Sequence, residues 1–166
     1  MQATARAHPN IALIKYWGKR DIGLNLPAVG SLSLTLDALW TRMTVKFSAD
    51  MGEDRLLVNG ESAGDMLPRI SRCLDQVVGS ERPRAAVASH CNFPVAAGLA
   101  SSASAFSALV VAANRACVDA PELFEASVID AVASRDTIDS ARLAGAASGS
   151  AARSLYAGIV GLSVGE

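Results

Sequence analysis

From Ser101 to Cys117 the chain runs without a glycine or a proline and is dominated by alanine, and no other stretch constrains the fold as strongly. Side chains this small let a helix axis lie close to whatever it covers, so the run predicts a long helix packed tightly against a sheet. The sheet is to be sought in the segments around it. SLSLTL (Ser31 to Leu36) alternates polar and apolar residues, as a half-buried strand does, and residues 4 to 15 read as a strand entering a basic, aromatic segment. TRMTVKFS (Thr41 to Ser48) and DRLLVNGE (Asp54 to Glu61) read as an antiparallel pair, the second ending in an Asn59-Gly60 turn. Leu67, Ile70, Leu74 and Val77 recur at helical spacing from Met66 to Val78, after which Ala85 to Phe93 is extended. A further helix is expected to start near Pro121 and run past Ile129. GIVGLSVGE (Gly158 to Glu166) reads as a last strand.

The expected class is therefore mixed α/β, with no internal repeat or linker that would divide the 166 residues. A hydrophobic content of 51% is enough for one sizeable core, and a formal charge of -1 excludes the broad basic face used on nucleic acids or membrane surfaces. The opening residues lack a basic segment followed by an apolar run, and a soluble cytoplasmic protein is expected. Cys73, Cys91 and Cys117 are widely spaced, without a zinc or disulfide pattern, and are read as free thiols. His8 and His90 have no partner close in sequence and are read as satisfied or solvated. Asp136 and Asp139 fit an exposed helix face.

Three segments favour anions. In NFPVAAGLASSASAF (Asn92 to Phe106), Pro94 and Gly98 shape a loop and Ser101 and Ser102 open the long helix. The first N–H groups of a helix are unpaired and lie at the positive end of its dipole, so they suit a phosphate, and serine hydroxyls can add bonds to it or to Mg²⁺. An ordinary N-capped helix shows the same pattern. In SGSAARS, Ser148, Gly149 and Ser150 form a second donor-rich turn, followed by Arg153, whose planar fork matches a carboxylate or phosphate. The alternative there is a capped helix with a solvated arginine. In NIALIKYWGKRD (Asn10 to Asp21), Lys15 and Lys19 flank Tyr16, either as an anion site or as a basic surface edge. Together the three point to a ligand carrying several phosphates.

NIALIKYWGKRD, NLPAVGSLSLTL, NFPVAAGLASSASAF and SGSAARSLYAG, in this order, resemble the diphosphomevalonate (mevalonate diphosphate) decarboxylases of the GHMP kinase superfamily. The IKYWGK signature matches the decarboxylases rather than their kinase relatives, and the resemblance spans nearly the whole chain. It implies an α+β two-layer fold like domain 2 of ribosomal protein S5, a mostly antiparallel sheet covered by helices. It implies ATP-dependent phosphorylation of the 3-hydroxyl of mevalonate 5-diphosphate, then loss of phosphate and CO₂ to give isopentenyl diphosphate in the mevalonate pathway, with Mg²⁺ as the metal. By position, Asn92, Gly98, Ala100, Ser101 and Ser102 correspond to the nucleotide-phosphate segment, with Ser102 near the metal and the transferred phosphate. Tyr16, Lys19, Ser148, Gly149 and Ser150 correspond to residues holding the substrate diphosphate, Arg153 to the partner of its carboxylate, and Lys15 to a lysine beside the reaction centre.

The family pattern has Gly-Ser-Gly-Ser where this chain has Ala147-Ser148-Gly149-Ser150. Members are considerably longer, and the aspartate that engages the 3-hydroxyl belongs to their C-terminal half. Residues 1 to 166 are thus expected to form an N-terminal ATP- and substrate-binding domain without its C-terminal partner, inactive alone, from an enzyme that is a homodimer. A small-molecule kinase, a decarboxylase of mevalonate 5-phosphate and a non-catalytic binding remnant are the competing expectations.

Overall fold

The computed structural model of the protein describes residues 1–15, 18–22, 26–94, 99, 101–117, 124–125 and 135–163. Strand β1 (Gln2–Ala7) is followed by β2 (Asn10–Ile14), the short β3 (Lys19–Asp21) and β4 (Leu26–Pro27), then β5 (Ser31–Thr35), β6 (Thr41–Ser48), β7 (Arg55–Val58) and β8 (Glu61–Ser62). Helix α1 (Leu67–Val78), β9 (Arg84–Cys91) and helix α2 (Ser101–Cys117) come next, then β10 (Phe124–Glu125), helix α3 (Arg135–Ala147), a 3-10 turn at Ala151–Leu155 and β11 (Ile159–Leu162). A six-stranded sheet runs β10-β1-β6-β9-β7-β8 and a three-stranded one β11-β5-β2, with β3 and β4 forming a separate ribbon. Pairing is antiparallel except for β1 with β10 and β7 with β9. The mixed α/β class, dominated by antiparallel sheet, is as expected.

Period-two alternation builds the core. Ala3, Ala5 and Ala7 of β1, Met43, Val45 and Phe47 of β6, and Ala85 and Val87 of β9 all point to one face and are buried. The opposite face carries Arg42, Lys46 and His90, which are exposed, and a Thr4–Thr44 hydroxyl pair at 2.8 Å. Helix α2 packs on the alanine face of β1 and on β6, with α1 and α3 beside it. Its Ala108, Leu109, Val110, Ala112 and Ala113 are all buried, so the middle of the helix is enclosed on every side, as its apolar run from Ala108 to Ala113 requires.

Three sequence expectations need correction. The strand predicted over residues 4 to 15 is two strands: at His8–Pro9 the chain leaves the large sheet and enters the small one, and Pro9 can offer no amide to a ladder. The predicted antiparallel pairing of Thr41–Ser48 with Asp54–Glu61 does not form. Strand β6 lies between β1 and β9, and β7 lies parallel to β9 after the α1 crossover. Phe124 and Glu125, expected in a helix, form a strand on Ala5 and Arg6, and the remainder of that predicted helix lies outside the described residues.

The Asn59-Gly60 turn is where the sequence put it, joining β7 to β8, with φ of 51° and 89°. Both residues need positive φ, which asparagine tolerates and glycine adopts freely. A Cβ on Gly60 would meet nothing within 4 Å, so a substitution is opposed by backbone conformation alone. Gly60→Ala is expected to lower stability by about 1 kcal/mol in urea unfolding, and an unchanged midpoint would contradict that turn conformation.

Candidate active site

The start of α2 borders a cavity of about 260 Å³, walled by Leu56 and Val58 of β7, Ile70 of α1 and Phe106 of α2, with Ser101 and Ser102 at one side. The cavity is open to solvent, apolar along its walls and polar at the helix start. Ser102 is exposed and Ser101 half-buried, so the Ser102 side chain reaches solvent. Gly98 and Ala100, expected in the phosphate segment, lie outside the described residues. Ser104, one turn further, is buried, with its Oγ 2.8 Å from Thr41 Oγ1, and takes a structural role that pins α2 to β6.

The second predicted turn reaches the same place from the other side. Helix α3 ends at Ala147, where the Ser148 amide donates to the Ala144 carbonyl at 2.9 Å, and the Ala151 amide donates to the Ser148 carbonyl at 2.8 Å. Ser148 Oγ thereby comes within 3.4 Å of Ser102 Oγ, across 46 residues of sequence. That is longer than a well-made hydroxyl pair, so both hydroxyls stay available to a third acceptor.

Sequence reasoning did not single out two residues that hold this arrangement. Asn10, buried at the start of β2, donates from Nδ2 to the Ser150 carbonyl at 3.0 Å and to Ser154 Oγ at 2.7 Å. Arg69 of α1 lies 5.0 Å over the Phe106 ring and donates to the Ala147 carbonyl at 3.3 Å, joining three helices just before Ser148. A polar amide opening an apolar strand was a usable signal for Asn10, because a buried amide seeks partners; here Nδ2 has two, while Oδ1 is buried with none among the described residues. Arg69 had no local signal.

Arg153 is 3% exposed and donates from Nη1 to Ser31 Oγ of β5. The solvated arginine that the sequence left open is therefore ruled out: the guanidinium is built into the domain beside the Ser148–Ser150 turn. Lys15, at the end of β2, and Lys19, in β3, are exposed, while Tyr16 lies outside the described residues. Asn92 has both ends of its amide occupied. Its Oδ1 accepts from the Trp40 amide at 2.7 Å and its Nδ2 donates to the Ala38 carbonyl at 2.9 Å, so it clips the loop before β6 to the end of β9. That favours a positioning role for Asn92 at the entry to the serine segment over direct ligand contact.

Burial pushes the Cys73 thiol up to about 12, which leaves it inert as a nucleophile. His8 is buried with Nδ1 2.7 Å from the Leu39 carbonyl, a satisfied histidine, and exposed His90 stacks near Trp40. Among the described residues, no cluster of His, Cys, Asp and Glu could hold a metal by itself. No described helix is long and apolar enough to cross a membrane.

Residues 7–166 match the model of the diphosphomevalonate decarboxylase-like N-terminal domain. Diphosphomevalonate decarboxylase of Rattus norvegicus is 39% identical, covering 100% of this chain but 42% of its own length. The crystal structure of mevalonate diphosphate decarboxylase from Staphylococcus aureus superimposes with a TM-score of 0.81 at 38% identity, over 98% of this chain and 46% of that one. A solved complex of MDDEF with MVAPP, AMPPCP and magnesium gives 0.78 at 38% identity, over 100% of this chain and 47% of that one. The chain spans less than half the length of the relatives it matches.

Proposed function

Because the chain belongs to the diphosphomevalonate decarboxylase-like N-terminal domain family, we propose that it is the nucleotide- and substrate-binding part of an enzyme that, with Mg²⁺ as its metal, converts mevalonate 5-diphosphate and ATP to isopentenyl diphosphate, CO₂, ADP and phosphate. The observation that carries this reading is the convergence of Ser102 and Ser148, 3.4 Å apart, beside an apolar cavity and a buried arginine. A cytoplasmic homodimer of complete chains completes it.

ATP and Mg²⁺ fit the residues present. The cavity of about 260 Å³ has apolar walls that suit the flat faces of an aromatic ring such as a nucleoside base, and its polar end offers the α2 start and the Ser101 and Ser102 hydroxyls to phosphate oxygens and a hard cation. When bound, the nucleotide supplies the phosphoryl group that turns a tertiary hydroxyl into a competent leaving group.

Binding and orienting the substrate belong to this chain. Ser148 and Ser150, held by α3 and by Asn10, donate to the substrate diphosphate, and Lys19 and Tyr16 add charge and a hydroxyl from the β2–β3 segment. Lys15 screens the charge that accumulates as phosphate oxygens approach one another. Arg153, fixed by Ser31, orients the carboxylate so that, as the C3–O bond to phosphate breaks, the electrons of the C–CO₂ bond flow towards C3 and CO₂ leaves. No proton acceptor for the 3-hydroxyl is assigned in this chain. The family resemblance assigns that group to the C-terminal half of longer members.

Nucleotide binding can be measured on the chain itself. Calorimetric titration with AMPPCP and Mg²⁺ is expected to give one site, and Ala105→Phe, which fills the cavity, is expected to weaken it at least tenfold. Equal affinity in the variant would remove the nucleotide from this cavity.

A further inference from the structure

Helix α2 covers one face of the large sheet, and on the other face the outward positions of the central strands reach solvent. These positions hold Arg42 and Lys46 of β6, Arg55 of β7 and Arg84 of β9, all exposed, and no carboxylate. None of the four forms an ion pair with a described residue. Between them the surface is made of short side chains, Thr44, Ala86 and Ala88. A fifth cation, Arg6, stands opposite Glu125 of β10, so its charge is balanced in register. Exposed Asp50, Glu53 and Glu81 lie in the turns at one end of these strands and pair with none of the four. The formal charge of -1 is a sum over the whole chain. It argues against a basic face only where charge is spread evenly, and here the fold sorts charge by face.

Strand geometry sets the spacing. A rise of about 3.4 Å per residue puts Arg42 and Lys46 about 14 Å apart along β6, and a strand separation of about 4.8 Å holds Lys46, Arg84 and Arg55 within about 10 Å of one another around Ala86. This basic track is too long for one small anion. At its Arg42 end the Trp40 and His90 rings lie 5.6 Å apart, with the Arg42 guanidinium 5.1 Å from the Trp40 ring. Cations strung along a track suit successive phosphates, and aromatic rings at its end suit an unstacked base. An acidic peptide would use the cations and leave the rings idle, and a membrane surface would meet the twisted sheet only in part. We propose that the outer face of the large sheet, along β6 and β9, binds single-stranded nucleic acid without sequence preference, with its phosphates on Arg42, Lys46, Arg55 and Arg84 and a base against the Trp40–His90 corner. The surface is separate from the nucleotide cavity, which Met43 and Ser89 line from the inward positions of the same two strands.

Fluorescence anisotropy of a fluorescein-labelled oligouridylate, titrated with the chain itself, tests this. Saturable binding is expected, with log Kd rising against log salt at a slope of about 3, as four phosphate contacts at about 0.7 each require. Lys46→Gln is expected to lower that slope by about 0.7. Lys46→Glu is expected to weaken binding about tenfold, whereas Arg72→Glu, an equal change in net charge at an exposed position of α1, should weaken it by less than about twofold. Excess AMPPCP with Mg²⁺ should leave the oligouridylate bound. Absence of saturable binding at about 50 mM salt overturns the proposal. So do equal losses in Lys46→Glu and Arg72→Glu, or release by AMPPCP, which would move the strand to the nucleotide cavity. Displacement by poly-L-glutamate as effective as by unlabelled oligouridylate would make an acidic polypeptide the occupant and overturn it too.

Discussion

Arg82→Ala is expected to lower the unfolding free energy by about 3–5 kcal/mol, because Arg82 is the buried partner of a buried carboxylate. Arg82 forms a fork with Asp54, Nη1 to Oδ1 at 2.9 Å and Nη2 to Oδ2 at 2.6 Å, and its Nε is 3.0 Å from Asp75 Oδ1 of α1. Asp54 also accepts the Ala85 amide at 2.8 Å. One arginine thus ties the approach to β7, the start of β9 and the end of α1, which are the elements that wall the cavity. Alanine would leave Asp54 buried and unpaired. Arg82→Met combined with Asp54→Leu is expected to cost much less, because no charge is then stranded. Urea unfolding of the three variants separates the two cases; equal losses would mean that volume, not charge, sets the effect.

The same pair sets an acid limit. The Arg82 guanidinium holds the Asp54 carboxyl well below its ordinary value of 3.8, outweighing burial, which pushes the other way. A depressed carboxyl contributes stability that is fully present above its unfolded value and is lost as pH falls through the folded one. The unfolding free energy of the native protein is therefore expected to decline below about pH 4, and Arg82→Met is expected to flatten that decline.

The largest functional effect is expected at Arg153. In a polypeptide that carries this sequence together with a C-terminal half, Arg153→Leu is expected to reduce kcat/KM for mevalonate 5-diphosphate by about 100- to 1000-fold, the cost of removing one member of a desolvated charge pair. Arg153→Lys keeps the charge but not the planar fork, and should recover only part of the loss. The affinity for AMPPCP should change little in either variant. A parallel loss of nucleotide affinity would mean that Arg153 supports the fold and not the carboxylate.

Much of this architecture was legible because local pattern and local structure coincide. The alternation in Thr41–Ser48, the glycine-free run from Ser101 and the Asn59-Gly60 dipeptide each describe an element whose shape is set by its own residues. Strand neighbours were not legible. Nothing within Asp54–Glu61 records that α1 will carry the chain across to β9, so local pattern points to the strand adjacent in sequence and not to the one adjacent in the sheet. The serine turns were found through composition, but their meeting at 3.4 Å depends on α3, whose end is fixed by Arg69 and Asn10. Asp54 and Arg82 carry no local signal for the same reason, being 28 residues apart and ordinary in their local surroundings. Arg153 shows the converse: its position in the motif was plain, but its burial against Ser31 was not.

The most direct test is release of labelled CO₂ from carboxyl-labelled mevalonate 5-diphosphate, with ATP and Mg²⁺, by a polypeptide that unites this sequence with a C-terminal half of the family. Release that requires ATP, with isopentenyl diphosphate as the other product, is the predicted result. A stable phosphorylated alcohol without CO₂, or release only from mevalonate 5-phosphate, would contradict it.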